Sequence, residues 1–270
     1  MDMLAARIGI LGCGSMGGAI ARGVVASGVV APGQVSVYDP ARACTDPLGE
    51  LGMNVVPSAE DLVAQATDAL VIAVKPQILP DVVAPLASGL EGRLVVSIAA
   101  GVSLAALEDL LGASRVVRVM PNLPIQVRSG ATAIACGTRA TNEDAQLVKE
   151  LFSALGSAHV MREDQLDAEG AVVSCGPAYV ALFADALTRA GVRAGLPAAA
   201  CREMVEATML GVAQSLIQSG EHPRSYMERV TSPGGTTAAA LLEMEPLVME
   251  AAYNAVDAAL ERTAELAEGR

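Results

Sequence analysis

A glycine-rich segment near the N-terminus restricts the fold of this chain more than any other feature. The sequence GCGSMG occupies residues 12–17, after the apolar run of residues 7–11 and at the start of a small-residue stretch that ends at Ser27. A short apolar run followed by a longer pattern predicts a strand, a turn and a helix. The first glycine permits a tight turn, the second lets a pyrophosphate approach the backbone, and the third allows close helix–strand packing.

Glycine-rich turns also occur in α/β units that bind nothing, so the pattern alone leaves a purely structural turn open. Two features favour a dinucleotide site, namely the strand–turn–helix context and Asp39, which ends a second predicted strand at Val35–Tyr38. The helix N-terminus offers unpaired N–H groups and the positive end of its dipole to phosphates. We therefore predict dinucleotide binding at this turn.

Strand and helix patterns alternate through the first 160 residues or so. Further strands are predicted at residues 54–56, 69–74, 94–98, 116–120 and 131–136. Helices are predicted at residues 59–66, 103–111 and 142–155, the first two with Ser58 and Ser103 as N-caps. Repeated βα units predict a Rossmann-type, doubly wound and mostly parallel sheet with helices on both faces.

The pattern changes at the charged stretch Arg162–Asp167, which predicts a boundary between domains of residues 1–163 and 164–270. Val205, Met209, Val212 and Leu216 recur at spacings of four, three and four, as on one helix face. The tail from Pro246 to Glu268 is rich in Ala, Leu and Glu. We predict an all-helical C-terminal domain whose apolar surface is partly buried in a homodimer, or in a larger assembly of dimers.

Three segments follow predicted parallel strands, at the edge where open α/β sheets bind ligands. They are AVKPQ at residues 73–77, SIAAG at 97–101 and MPNLP at 120–124. Their small residues and prolines allow a flat ring to approach the backbone, and Asn122 can both donate and accept hydrogen bonds. Each segment alone fits an ordinary connection, whereas three together predict a ligand edge.

The most polar segment of the helical domain is SPGGTT, residues 232–237, which precedes the helical run Ala238–Glu243. Its glycines and threonines can form a nest of backbone N–H groups with hydroxyls, which suits a small carboxylate. A capped turn between two helices is the other interpretation.

Composition excludes several classes of function. A net charge of −12, two lysines and six aromatic residues argue against nucleic acid. The five cysteines are odd in number and far apart, which indicates reduced thiols in the cytoplasm and no metal site. No uncharged apolar run reaches the ~18–20 residues that cross a bilayer, so we expect no membrane partner.

The chain also lacks an obvious acid for carbonyl reduction. It has two histidines, His159 and His222, and no lysine after Lys149. Reduction of a carbonyl to an alcohol usually needs a positioned proton donor, whereas a protonated imine is already electrophilic. An imine substrate therefore needs mainly positioning.

These motifs together resemble the pyrroline-5-carboxylate reductase family over nearly the whole chain. The motifs that carry the resemblance are GCGSMG (12–17), AVKPQ (73–77), SIAAGVS (97–103), VRVMPNLP (117–124), GPAYV (176–180) and VTSPGGTTAAAL (230–241). The resemblance implies a Rossmann domain, a helical domain that pairs with a second subunit, and NAD(P)H-dependent reduction of 1-pyrroline-5-carboxylate to L-proline. Three segments depart from the family pattern: Val173-Ser174-Cys175, Leu123, and residues 243–246.

By this resemblance and the motifs above, the cofactor-binding residues are Leu11, Gly12, Cys13, Gly14, Ser15, Met16, Gly17, Asp39, Ala59, Ala73, Val74, Lys75, Pro76, Ile98, Ala99, Ala100 and Asn122. The substrate-binding residues are Ser232, Gly234, Gly235, Thr236, Thr237, Glu163 and Asn122, with Thr237 as the catalytic residue.

Asp39 predicts a preference for NADH, because a carboxylate can bridge the ribose hydroxyls and would repel a 2′-phosphate. Ala59, near the start of the next helix, offers no side-chain donor to that phosphate. Arg42 could pair with the phosphate, although we expect a surface ion pair with Asp39 or Asp46. The alternatives to the predicted function are a reductase of another small cyclic imine or hydroxy acid, and a non-catalytic dinucleotide-binding protein.

Overall fold

The computed structural model describes residues 3–267, with side chains up to residue 265. The described chain divides into two compact units, residues 3–174 with 262–267, and Cys175–Glu261. The first unit contains an eight-stranded sheet. Its strands are β1 (Ile8–Leu11), β2 (Val35–Tyr38), β3 (Asn54–Val55), β4 (Ala69–Ile72), β5 (Leu94–Ser97), β6 (Arg115–Pro121), β7 (Gly130–Cys136) and β8 (Gly156–Val160).

The strand order is β3-β2-β1-β4-β5-β6-β7-β8. All neighbouring strands are parallel except β6 and β7, which are antiparallel and pair Met120 with Ala133. The predicted doubly wound, mostly parallel sheet is therefore confirmed.

The core explains why the central strands are mostly apolar. In β4, Ala69 and Val71 pack into one buried cluster, and Leu70 and Ile72 pack into another. Successive side chains of a strand point to opposite faces, so both faces of the sheet are covered. A strand that is buried on both faces is therefore mostly apolar, although β5 also buries Ser97 at its end.

Eight α-helices flank the sheet in this unit. They are α1 (Ser15–Ala26), α2 (Arg42–Gly49), α3 (Ala59–Gln65), α4 (Leu79–Val83), α5 (Ala87–Leu90), α6 (Leu104–Leu111), α7 (Asn142–Ser153) and α8 (Leu166–Glu169). The predicted caps are present, since Ser58 Oγ accepts from Asp61 N–H (3.1 Å) and Ser103 Oγ accepts from Ala106 N–H (3.2 Å). The helices α2, α4, α5 and α8 and the strand β8 were not predicted. The helix α2 contains Pro47, the other three helices are only four or five residues long, and β8 is mostly exposed.

A π-helix, Gly170–Ser174, follows α8. It is the last segment of this unit before the chain enters the second unit at Cys175. The first compact unit includes residues 164–174, which pack on the sheet: a Cβ at Gly170 would lie 3.2 Å from Met120 Sδ on β6. The predicted domain boundary at residue 163 stays a prediction. The charged stretch Arg162–Asp167 marks a turn within the unit.

The second unit is all-helical, as predicted. Its helices are α9 (Gly176–Arg193), α10 (Ala198–Ser219), α11 (Pro223–Arg229) and α12 (Thr236–Ala267), the last of which extends beyond the unit. Cys201 and Val205 are the buried hydrophobic residues of α10. The runs predicted at Ala238–Glu243 and after Pro246 form one helix, α12, with the proline inside it.

One stretch of the described chain, Glu163–Arg193, is long and apolar enough by length and composition to cross a membrane. It is interrupted rather than uniform, since it includes a 3₁₀ turn at Glu163–Gln165, α8, the π-helix and α9. Its charged residues include Asp185, which pairs with Arg189 at 2.6 Å. The sequence criterion missed this stretch because it required a run without charges.

Candidate functional site

The carboxyl ends of four parallel strands meet at one edge of the sheet. Leu11, the last residue of β1, is aligned with Tyr38 of β2 and Ile72 of β4, and Ile72 is aligned with Ser97 of β5. The chain leaves β1 toward β2 on one side and returns to β4 on the other, so the strand order reverses at β1. Ligands of open α/β sheets bind in the crevice at this reversal. The structure thus brings together the predicted segments after β1, β2, β4 and β5.

Backbone geometry and packing within the protein explain two glycines of the GCGSMG loop. Gly12 has φ +93°, a left-handed conformation, and a Cβ there would lie 2.9 Å from the Ala73 carbonyl oxygen. A Cβ at Gly17 would lie 1.9 Å from the Gly12 carbonyl oxygen. Turn geometry and close helix packing therefore account for both residues.

Neither backbone geometry nor packing within the protein explains Gly14. It is exposed, its φ is −64°, and a Cβ there would meet no atom within 4 Å. The space above it, at the N-terminus of α1, is a cradle that a side chain would fill. Unpaired N–H groups and the positive helix end make this cradle suitable for phosphate. The loop therefore fits a dinucleotide pyrophosphate.

Asp39 is held against this loop. One carboxylate oxygen accepts from Cys13 N–H (2.8 Å), and the other accepts from Ala41 N–H (2.9 Å). Burial, and next to it the Asp39 charge, raises the pKa of the Cys13 thiol to about 12. Cys13 is therefore an unreactive thiol that fills space in the core.

The remaining residues of the predicted cofactor edge differ in exposure. Lys75 and Ala100 are exposed, Ala99 is buried, and the side chains of Ala73 and Ile98 are half-buried. Ser15 lies in the GCGSMG loop, where its Oγ accepts from Gln126 Nε2 (3.2 Å). Gln126 follows β6 in the chain, and no sequence signal had pointed to this contact.

Asn122 and Glu163 are engaged within the first unit. Asn122 Nδ2 donates to the Val173 carbonyl (3.2 Å), and its Oδ1 accepts from Ala131 N–H (2.8 Å). Glu163 Oε1 pairs with Arg118 Nη1 (3.0 Å) and accepts from Leu104 N–H (2.6 Å) at the start of α6. Direct contact of either residue with a ligand stays a prediction.

Arg42 and Ala59 lie beside the end of β2. Ala59 is the first residue of α3 and is half-buried. The predicted ion pair of Arg42 with Asp39 or Asp46 is wrong: among the described residues, no carboxylate lies within ion-pair distance of Arg42. Asp39 is occupied by backbone N–H groups, and the exposed guanidinium stays in solvent.

The second unit presents the SPGGTT loop between α11 and α12. Gly235 N–H donates to the Ser232 carbonyl (3.0 Å), and Gly234 has φ +69°. Proline at the second position and left-handed glycine at the third define a type II turn. The loop therefore turns tightly and enters α12 at Thr236.

Several polar groups of this loop have no hydrogen-bond partner among the described residues. The first backbone bond at the start of α12 runs from Ala239 N–H to the Gly235 carbonyl, so the N–H groups of Thr236 and Thr237 are unpaired. Within residues 3–265, the hydroxyls of Ser232, Thr236 and Thr237 make no hydrogen bond. The turn thus combines unpaired donors with the positive end of a 32-residue helix, which is suited to a carboxylate.

Comparison with known proteins identifies the family of this chain. The chain is 38% identical to pyrroline-5-carboxylate reductase of Arabidopsis thaliana over 97% of this chain and 96% of the relative. The chain belongs to the pyrroline-5-carboxylate reductase family. Its structure is similar to that of the Coxiella burnetii pyrroline-5-carboxylate reductase, with a TM-score of 0.93 and 31% identity over 97% and 99% of the two chains.

A second solved member of this family, the Plasmodium falciparum pyrroline carboxylate reductase with NADP bound, has a TM-score of 0.85 and 30% identity over 98% and 100% of the two chains. Residues 163–266 match the family model described as pyrroline-5-carboxylate reductase dimerisation. Residues 7–101 match a model described as NADP oxidoreductase, coenzyme F420-dependent. The predicted family, the oxidoreductase class and a nicotinamide dinucleotide cofactor are thereby confirmed.

Proposed function

We propose that this chain reduces 1-pyrroline-5-carboxylate to L-proline with a reduced nicotinamide dinucleotide, the last step of proline biosynthesis. Membership of the pyrroline-5-carboxylate reductase family carries this proposal. The open cradle above Gly14 supports it, because a cofactor pyrophosphate accounts for a glycine that packing does not explain.

The chemistry needs little from the protein beyond binding and orientation. When bound, the reduced nicotinamide supplies a hydride to the imine carbon of the protonated pyrroline, and the nitrogen keeps its proton as it becomes the amine of proline. The Gly12–Gly17 loop and the α1 N-terminus would hold the pyrophosphate, and segments 73–76 and 98–100 would border the nicotinamide half. No acid is required at the hydride step, which agrees with the absence of lysine after Lys149.

The substrate carboxylate is proposed to bind the SPGGTT loop. The Ser232 hydroxyl and the backbone N–H groups of Gly234 and Thr236 supply donors at the positive end of α12, while Gly235 shapes the turn through its bond to the Ser232 carbonyl. The Thr237 hydroxyl then accepts from the protonated imine N–H and orients the ring. Asn122 and Glu163 are also proposed to bind substrate, through the groups that their internal hydrogen bonds leave available.

The reaction itself is the first prediction. Purified protein is expected to oxidise NADH or NADPH when 1-pyrroline-5-carboxylate is added, as followed by loss of cofactor absorbance, and to release L-proline. Other cyclic imines and hydroxy or keto acids serve as comparison substrates, because a reductase of another small imine or hydroxy acid is the alternative. Rapid turnover of a keto acid without turnover of the pyrroline would contradict the proposal, and binding of cofactor without any turnover would indicate a non-catalytic protein.

For the cofactor, we propose a preference for NADH, with NADPH still accepted. Asp39 is fixed at the end of β2 by two backbone N–H groups, and its negative charge disfavours a 2′-phosphate. Ala59 supplies no donor. Arg42, exposed and without an ion pair among the described residues, explains why NADPH would still bind.

We also propose a homodimer, or a larger assembly of dimers, held together by the helical unit. Many large hydrophobic residues of this unit are exposed, among them Ile217 at 81%, Leu242 at 78% and Leu247 at 67%. Monomeric proteins rarely expose so much contiguous apolar surface. Burial in such an interface would also cover the apolar stretch Glu163–Arg193, which then needs no membrane. We propose that the protein is soluble and lies in the cytoplasm.

Light scattering is expected to give at least a dimeric mass at micromolar concentration. The double variant Ile217→Lys/Leu247→Lys should lower that mass, because an apolar interface that closes over unpaired ammonium groups is strongly destabilised. Val127→Lys is the matched control, since Val127 is 74% exposed but lies in the first unit. A monomeric wild-type protein would refute the proposed assembly.

A further inference from the structure

Glu169 is a carboxyl group that the proposed reaction does not use. It ends α8, directly before the π-helix Gly170–Ser174. Its Oε2 accepts from Ser174 Oγ (3.2 Å), which closes a side-chain bond across the π-helix. Its Oε1 is buried and has no hydrogen-bond partner within the described residues. An acceptor without a donor is unfavourable, and far more so when the carboxyl is ionised.

The segment that Glu169 spans is connected to the ligand edge of the sheet. Val173, inside the π-helix, accepts through its carbonyl from Asn122 Nδ2 (3.2 Å), and Asn122 Oδ1 accepts from Ala131 N–H (2.8 Å). Gly170 packs closely against Met120, two residues before Asn122. The π-helix thus fixes the MPN segment, residues 120–122, at the end of β6. Single π-turns inside helical segments occur frequently at functional sites.

The environment of Glu169 favours its neutral form. Burial raises the pKa of this carboxyl to about 7, although the hydrogen bond from Ser174 lowers it. The neighbouring elements are β6, β7, the turn before α8 and α8 itself. Their charged or titratable residues are Arg115, Arg118, Cys136, Glu163, Asp164 and Asp167. The arginines pair with Asp144 and Glu163, and Asp164 pairs with Arg162, so the shift comes from burial rather than from a charged partner.

We propose that Glu169 is a positioning residue, which in its neutral form keeps the π-helix, and through Val173 and Asn122 the MPN segment, in the arrangement that receives the dinucleotide. Ionisation leaves a buried charge without a donor on Oε1, and the segment must rearrange to hydrate it. Cofactor affinity and turnover then fall together as the carboxyl ionises. The inference rests on the proposed function only for its kinetic part.

The stability of the cofactor-free protein gives the first test. A carboxyl whose pKa is raised on folding contributes stability that is present at acid pH and is lost as pH rises toward about 7. Glu169→Gln keeps the neutral shape at every pH, so its Tm should match wild type near pH 5 and exceed it by about 2–6 °C near pH 8.5. Glu143→Gln, an exposed change on α7, is the control and should show no such difference.

Measurements of cofactor binding and turnover distinguish a positioning role of Glu169 from an effect on protein stability alone. The Kd for NADH should weaken about threefold to tenfold between about pH 6 and pH 8.5 in wild type, and much less in Glu169→Gln. The ratio of kcat/KM between variant and wild type should rise over the same range, and this ratio cancels the titration of the substrate imine. Ser174→Ala removes the hydrogen bond that lowers the pKa of Glu169. This variant should therefore shift the pH-dependent change to higher pH, both in NADH affinity and in kcat/KM.

The possible outcomes are distinct. A Kd ratio and a kcat/KM ratio that stay constant with pH would overturn the positioning role, even if the Tm difference appears. If wild type and Glu169→Gln have equal Tm values near pH 8.5, and the Kd and kcat/KM ratios are also constant, then Glu169 does not titrate in this range. A wild-type protein without pyrroline reductase activity would refute the proposed function, while the pH dependence of NADH binding would still test Glu169.

Discussion

Thr237→Val is expected to lower kcat/KM for 1-pyrroline-5-carboxylate by about 10–100-fold, since a hydrogen bond to a charged group contributes about 1.5–3 kcal/mol. Valine keeps the shape of threonine and removes only the hydroxyl. Thr237 lies in the first turn of α12, half-buried, and its hydroxyl makes no hydrogen bond among the described residues. The loss should therefore reflect the missing substrate contact and not a broken internal bond.

Two controls make this result specific. Thr67→Val changes an exposed threonine in the first unit and should leave kcat/KM unaltered. The Kd for NADH, measured without substrate, should be the same in Thr237→Val and wild type. Unchanged turnover in Thr237→Val would remove this residue from the mechanism, whereas a matching loss of NADH affinity would indicate a disturbed fold.

Asp39→Ser is expected to raise the ratio of kcat/KM for NADPH to that for NADH by about 10–100-fold, because one charge-assisted contact to the ribose and one source of repulsion disappear together. The absolute values should fall for both cofactors, since Asp39 also accepts from Cys13 N–H and Ala41 N–H and so supports the GCGSMG loop. The ratio, rather than either value alone, therefore reports on the 2′-phosphate.

Arg42→Ala tests the opposing contribution. If the exposed guanidinium receives the 2′-phosphate, this variant should lose activity with NADPH and keep it with NADH. A wild-type preference for NADPH that Asp39→Ser leaves untouched would contradict the proposed role of Asp39. A preference for NADPH that Arg42→Ala abolishes would assign the selectivity to Arg42 instead.

The sequence correctly placed most of the predicted cofactor segments at the carboxyl edge of the sheet, but it did not describe how that edge is held together. Asp39 was predicted to face the ribose, and the structure adds its bond to Cys13 N–H across 26 residues of chain. Glu163 was predicted near the ligand, and the structure shows it pairing with Arg118 and capping α6 at Leu104. Such contacts join residues that are far apart in the chain, so no local sequence pattern predicts them. The Arg42 ion pair was wrong for the same reason, because its expected partners are occupied elsewhere or lie beyond reach.

Local physical chemistry explains what the sequence alone determined. Buried parallel strands must be mostly apolar, Ser58 and Ser103 cap the helices that follow them, and Gly12 is needed where φ is +93°. These features involve residues a few positions apart, so the strands other than β8, the two serine caps, the glycine loop and the family could be predicted from the printed sequence.

Tertiary structure decided the rest. The antiparallel direction of β7, the packing of residues 164–174 on the sheet, and the buried Oε1 of Glu169 depend on which segments meet in space. Burial is a property of the folded environment, and it raises the pKa of Glu169 to about 7, whereas Glu60, at the start of α3, is exposed. A glutamate in the sequence is the same letter in both places, and only the surrounding fold distinguishes them.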